Sequence, residues 1–104
     1  METKKLLEQC KQRLVDRYGS RFAGLVLYGS EARSESEEGS DIDLLVLLQG
    51  PFDFFQELRA VVDTLYPLQL ETERHLSAKP AALDEFESDS IQMYRNAKRE
   101  GVPV

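Results

Sequence analysis

The chain has 104 residues, of which 41% are hydrophobic and 31% are charged, a composition that is ordinary for one globular domain. Its formal net charge of −6 weighs against a nonspecific nucleic-acid binder, because affinity for phosphate backbones comes from lysine and arginine. No apolar run reaches the roughly 18 residues of a membrane helix, and the start lacks the apolar core of a signal peptide. A single cysteine, Cys10, excludes an internal disulfide and fits a cytoplasmic protein. We therefore expect one cytoplasmic domain over residues 1–104.

The spacing of the apolar residues predicts alternating helices and strands. Glycine or proline follows most of these segments, where either residue is expected to end them. In chain order, the prediction is a helix over 4–18, strands over 22–28 and 41–49, a helix over 53–66, a short strand over 68–72, a helical turn or two within 80–86, and a helix over 90–100.

A short helix is also predicted between the first two strands, directly after Gly29 and Ser30. That connection is too short for a full crossover helix, so the two strands do not form a standard parallel unit. The predicted fold class is α+β, with a small mixed β-sheet and helices packed mainly on one face.

Two short motifs predict the chemistry of a functional site. One follows the first predicted strand and the other begins the second. Gly29-Ser30 is a glycine turn that leads into a helix, and free N–H groups at a helix N-terminus bind phosphate. Asp41 and Asp43 begin the next strand, where side chains two residues apart leave the same face about 6.6 Å apart. Two such carboxylates suit Mg²⁺, which takes its remaining ligands from water and substrate phosphates.

With these motifs, the chain resembles the minimal nucleotidyltransferases of the DNA polymerase β superfamily. The signature of that family is Gly-Ser, a spacer of about ten residues and Asp-x-Asp, and the resemblance covers nearly the whole chain. It implies a polymerase β-like α+β core, nucleotide transfer from ATP, and Mg²⁺ or Mn²⁺ as the metal. The matching residues are Gly29, Ser30, Ala32, Arg33, Ser40, Asp41, Asp43 and Leu44.

The resemblance assigns a role to each group of motif residues. Asp41 and Asp43 are expected to be the metal ligands and catalytic carboxylates, in agreement with their spacing. The expected nucleotide-binding residues are Gly29, Ser30, Arg33 and Ser40. Each group also has a structural alternative, since the glycine turn can be an ordinary helix cap and the arginine can pair with glutamates in the acidic loop.

One expected carboxylate is missing from its position in the family pattern. The family usually places a third acid on the third strand, where it completes the metal site. The predicted strand over 68–72 puts Gln69 there, and glutamine is a poor Mg²⁺ ligand beside a carboxylate. Glu71 lies two residues further on and is the candidate replacement.

The sequence leaves three functions open. The first is an enzyme that moves a nucleoside monophosphate, AMP from ATP, to a hydroxyl on another protein. Stand-alone relatives often pair with a small helical partner of the HEPN class and act as its antitoxin, which implies that partner and a homo- or hetero-oligomer here. The second function is a catalytically impaired antitoxin that binds nucleotide or partner. An antibiotic nucleotidyltransferase, the third possibility, needs an additional drug-binding domain.

Overall fold

A four-stranded sheet lies at the centre of the fold in a computed structural model, which describes residues 2–29 and 41–104. Two long helices and two short ones pack against it, and a 3₁₀ turn over Gly19–Arg21 joins the first helix to the first strand. The elements are α1 (Thr3–Tyr18), β1 (Phe22–Tyr28), β2 (Ile42–Leu48), α2 (Phe54–Gln69), β3 (Leu76–Ala82), α3 (Leu83–Glu87), α4 (Gln92–Glu100) and β4 (Val102–Pro103).

The sheet is mixed, with the strand order β3-β2-β1-β4. β1 runs antiparallel to β2 and to β4, whereas β2 and β3 run parallel. The parallel pair is joined through α2, as a parallel connection requires. This arrangement confirms the predicted α+β fold with a small mixed sheet.

β2 is buried on both faces, which explains its unbroken apolar run. Leu44, Val46 and Leu48 belong to the larger core, which α1 and α2 cover. Leu45 and Leu47 belong to a smaller core on the opposite face, together with residues of α3 and α4. The two 16-residue helices therefore share one face, as predicted, and only short helices cover the other.

The prediction was wrong where α2 ends and where the third strand begins. The helix continues through Pro67 to Gln69, because Leu68 is only 1% exposed and extends the buried stripe of Val61 and Leu65. A proline inside a helix costs about 3 kcal/mol, whereas burying a leucine gains about 1.5–3 kcal/mol. Leu68 and Gln69 thus end α2, residues 70–72 follow the helix, and the third strand lies further on, at Leu76–Ala82.

The first two strands and the first and last helices agree with the prediction to within two residues, and β1 matches it fully, whereas the helical turn expected within 80–86 begins only at Leu83. Asp53 precedes α2 as its N-cap, and its carboxylate accepts a hydrogen bond of 2.9 Å from the Gln56 N–H. The two-residue strand β4 was not predicted, and the short helix expected after Ser30 lies outside the described residues. None of the helices in the described ranges is long and apolar enough to cross a membrane.

Candidate functional site

Gly29, which directly follows β1, lies close to the first residues of β2. Tyr28, the last residue of β1, pairs with Asp43 across the antiparallel ladder. Gly29 follows with a φ of +78°, a conformation that L side chains rarely adopt. A Cβ atom placed on Gly29 would lie 2.6 Å from Oδ2 of Asp43. Glycine is therefore favoured by the backbone conformation, and its missing side chain leaves room for the Asp43 carboxylate in the position that it occupies.

The two motif aspartates are accessible at this end of the sheet. Asp41 precedes β2 and is exposed, while Asp43 is its second residue and is half-buried. Neither carboxylate makes a hydrogen bond or ion pair with the described part of the chain, so their oxygens are available to a cation. Accessible carboxylates of this kind fit Mg²⁺ or Mn²⁺, both of which favour oxygen ligands.

The phenol of Tyr28 lies close enough to the Asp43 carboxylate for the negative charge to affect its pKa. Burial raises the pKa of Tyr28, and the negative charge of Asp43 and the nearby Tyr94 raise it further. A neutral phenol is thus maintained beside the acidic pair at physiological pH. Tyr28 can donate a hydrogen bond there but adds no negative charge to the site.

β3 brings no carboxylate to the aspartates, although it is the strand on which the third acid was expected. Its sequence is Leu-Ser-Ala-Lys-Pro-Ala-Ala, and the parallel register places Ser77 beside Asp43. Glu71 lies outside the sheet, exposed between α2 and β3. Within residues 2–29 and 41–104, no group of three His, Cys, Asp or Glu side chains is placed to hold a metal. The structure therefore does not support Glu71 as the third carboxylate.

Gln69 has a structural role in place of the one that the sequence suggested. Its Nε2 donates to the Arg74 carbonyl oxygen at 2.8 Å, and its Oε1 accepts from the Leu76 N–H at 2.8 Å. Both hydrogen bonds fix the loop that leads from α2 into β3. The Gln69 side chain is thus hydrogen-bonded to the backbone at the end of α2. Its position is therefore no evidence that a metal ligand has been lost.

Three of the predicted nucleotide-binding residues lie outside the described residues. They are Ser30, Arg33 and Ser40, so their roles stay predictions. Of the four predicted nucleotide-binding residues, only Gly29 is described, and the structure places it against Asp43.

α4 contributes a wall that the sequence analysis did not assign to the site. Its residues at positions i, i+3, i+4 and i+7 face Tyr28 and Gly29 across a cavity of about 290 Å³. The helical spacing of these side chains was visible in the sequence, but their position beside the glycine turn depends on tertiary packing. The α4 residues of this wall are Met93, Asn96, Ala97 and Glu100.

Comparisons with known proteins identify the family and support the fold. The model of a family described as "Nucleotidyltransferase domain" matches residues 4–98. A candidate nucleotidyltransferase from Sulfolobus solfataricus shares 19% identity at a TM-score of 0.59, over 95% of this chain and 76% of that one. A toxin–antitoxin structure with AMP-PNP shares 19% identity at a TM-score of 0.60, over 92% and 70% of the two chains. At such identities the likeness shows the fold alone, and no curated protein matches the sequence significantly.

Proposed function

Because the chain belongs to the nucleotidyltransferase domain family, we propose that it transfers AMP from ATP to a hydroxyl group, with Mg²⁺ or Mn²⁺. The contact between Gly29 and the Asp43 carboxylate is the observation that carries this proposal. It joins a turn that suits phosphate to a side chain that suits the metal bound to that phosphate.

In the proposed reaction, Asp41 and Asp43 would hold the divalent metal, which would supply positive charge to the phosphates of ATP. The acceptor oxygen forms a bond to the α-phosphorus, the bond to the bridging oxygen breaks, and pyrophosphate leaves. The hydroxyl proton passes to solvent as the new bond forms. The metal stabilises the charge that develops on the phosphate oxygens, and such electrostatic stabilisation is often the largest part of catalysis.

We further propose that the acceptor is a side-chain hydroxyl on a partner protein of the HEPN class, with this chain as the antitoxin. The resemblance in the sequence supports this assignment, and so does the fold shared with a toxin–antitoxin protein.

The test uses the purified chain, labelled ATP, Mg²⁺ and the product of a neighbouring gene that encodes a short helical protein. We expect the label to be attached to the partner, and we expect Asp41→Asn and Asp43→Asn to abolish the attachment. Asp16→Asn is the matched control, because it removes a carboxylate from the exposed side of α1. Labelling that persists in both site variants would refute the proposed chemistry.

The absence of a carboxylate on β3 favours a second candidate, an antitoxin that binds nucleotide or partner without transferring AMP. The same experiment separates the two functions. Tight binding of the partner with no labelled adduct would support the binding protein. An adduct that depends on Asp41 and Asp43 would support the enzyme.

A further inference from the structure

One side of α2 exposes a continuous row of large apolar side chains. Phe55 is 77% exposed, Val62 50%, Tyr66 55% and Leu70 69%. Their spacing of seven, four and four residues places them on one face of the helix, beside the face that packs on the core. We call these four residues and Leu58 the α2 stripe. Contiguous apolar surface of this kind usually marks an interaction site.

The stripe continues into a groove of about 320 Å³ between α2 and the edge strand β3. Leu58, Val62 and Tyr66 line the groove from the helix side, and Leu76 lines it from the strand. β3 carries Lys79 and Pro80, two residue types that protect an edge strand from pairing with another strand. These features favour a helix over an added strand as the occupant of this surface.

Two opposite charges lie toward one side of the stripe, since at about 100° per residue Arg59 falls between Tyr66 and Leu70 around the helix and Asp63 falls just beyond Leu70. Arg59 and Asp63 are both exposed, lie one helical turn apart, and form no ion pair with each other or with any other described residue. When a second copy of α2 packs antiparallel against the first, with a two-fold axis at Val62, Arg59 of each copy lies near Asp63 of the other. The two opposite charges are therefore complementary to those of a second copy. In that arrangement the same flank of both helices lies on the same side of the contact.

The register of such a pair brings apolar residues together along its whole length. Leu58 of one copy faces Tyr66 of the other, and Phe55 faces Leu70 to within one residue. Arg59 comes within about 3 Å, measured along the helix axis, of Asp63 of the second copy, because each residue rises about 1.5 Å. In a parallel pair, the charged residues of the two helices lie on opposite sides of the contact and do not meet. Only the antiparallel pair both buries the α2 stripe and brings opposite charges together.

We propose that this face binds a second copy of the chain, forming a two-fold symmetric dimer through antiparallel α2 helices. The self-complementary charges select this occupant over an unrelated helix. A helix of 16 residues is about 24 Å long, so the contact lies toward the small end of specific interfaces. The dimer is therefore reversible, with a dissociation constant of the order of micromolar. The inference is independent of the proposed nucleotidyl transfer.

The test is sedimentation of the purified chain between about 1 and about 500 μM, which brackets that affinity. We expect a monomer–dimer equilibrium in the wild-type protein and a monomer in Val62→Glu. Val62 is half exposed, so this change does not disturb the core. Val15→Glu on α1 is the control, because Val15 is also exposed and lies outside the stripe.

Charge exchange distinguishes this dimer from any other association. Arg59→Asp and Asp63→Arg each place like charges opposite one another, and each should weaken dimerisation by about tenfold or more. The double variant with both changes restores opposite charges and should recover the wild-type affinity. A monomeric wild type at the highest concentration, or a double variant no better than either single one, would overturn the proposal.

Discussion

At the scale of single residues, the site depends most on the missing side chain of Gly29. We predict that Gly29→Ala strongly reduces Mg²⁺-dependent ATP binding, by about a hundredfold or more. The new methyl group would have to displace the Asp43 carboxylate, and the backbone would also be strained at a φ of +78°. Titration of ATP in the presence and absence of Mg²⁺ measures the change.

Gly19 provides the matched control for that substitution. It also has a positive φ, +57°, but a Cβ atom there would meet no other atom within 4 Å. Gly19→Ala should therefore lower the free energy of unfolding by about 1–3 kcal/mol through backbone strain alone and leave ATP binding unchanged, because its φ of 57° and ψ of −126° lie outside the regions open to alanine. Equal losses of binding in the two variants would show that strain, and not the contact with Asp43, causes the effect.

At the scale of elements, local pattern predicted β1, β2 and the first and last helices, because their apolar spacing agrees with the tertiary structure. It failed at β3. The strand contains three alanines, a lysine and a proline, all with low strand propensity, so only its parallel pairing with β2 defines it. The alternating residues 68–72 resembled a strand instead, although Leu68 belongs to the helical core stripe.

The same distinction applies to the site. The motifs predicted that Gly29 and Asp43 lie close together, and they do, because the two motifs flank antiparallel strands that pair directly. The place expected for a third carboxylate depends on the register between β2 and β3. Local sequence does not determine that register. The sequence pattern therefore favours Gln69 or Glu71 for the place beside Asp43 on the third strand, whereas in the structure Ser77 lies there.

This correction leads to a prediction about β3. Ser77 pairs with Asp43 in the parallel register, and neighbouring strands lie about 4.8 Å apart with paired side chains on the same face. Ser77→Asp should therefore bring a third carboxylate to the pair and strengthen Mg²⁺ or Mn²⁺ binding about tenfold or more. Mn²⁺ titration followed by electron paramagnetic resonance measures the affinity.

Gln69→Glu is the control for the β3 prediction, since it adds a carboxylate at the position that the sequence first suggested. Gln69 is bound to the backbone at the end of α2, so this variant should not improve metal binding. It should lower stability by about 1–3 kcal/mol, because the Arg74 carbonyl loses its donor. The register assignment would be wrong if Gln69→Glu strengthened metal binding and Ser77→Asp did not.

At the scale of the whole molecule, two buried groups predict how stability depends on pH. Burial raises the pKa of Cys10 to about 11 from 9.0, although the positive charge of Arg13 opposes the shift. Burial and the nearby Glu57 raise the pKa of Tyr18 to about 12 from 10.0. Both groups favour their protonated forms in the folded state. Their contribution to stability is complete below about pH 9 and is lost as the pH rises from about 9 to about 12.

Urea unfolding measured as a function of pH tests this dependence. The free energy of unfolding of the wild type should fall above about pH 9, and the fall should be shallower in Cys10→Ala between about pH 9 and 11. Tyr18→Phe should reduce the slope between about pH 10 and 12. The comparison uses slopes, because Cys10→Ala also leaves a cavity that lowers stability at every pH. Slopes identical to the wild type in both variants would contradict the burial argument.

Ligand binding provides the last prediction, because a ligand that binds only the folded state stabilises the whole domain. At a concentration one hundred times its dissociation constant, ATP with Mg²⁺ should raise the free energy of unfolding by about 2.7 kcal/mol. For a domain of this size that corresponds to a rise in melting temperature of about 10 °C or more. The metal-dependent part should vanish in Asp43→Asn and with EDTA, and it should persist in Asp16→Asn. A shift of equal size in Asp43→Asn would place the nucleotide elsewhere, because that carboxylate lies against the turn that is proposed to hold the phosphates.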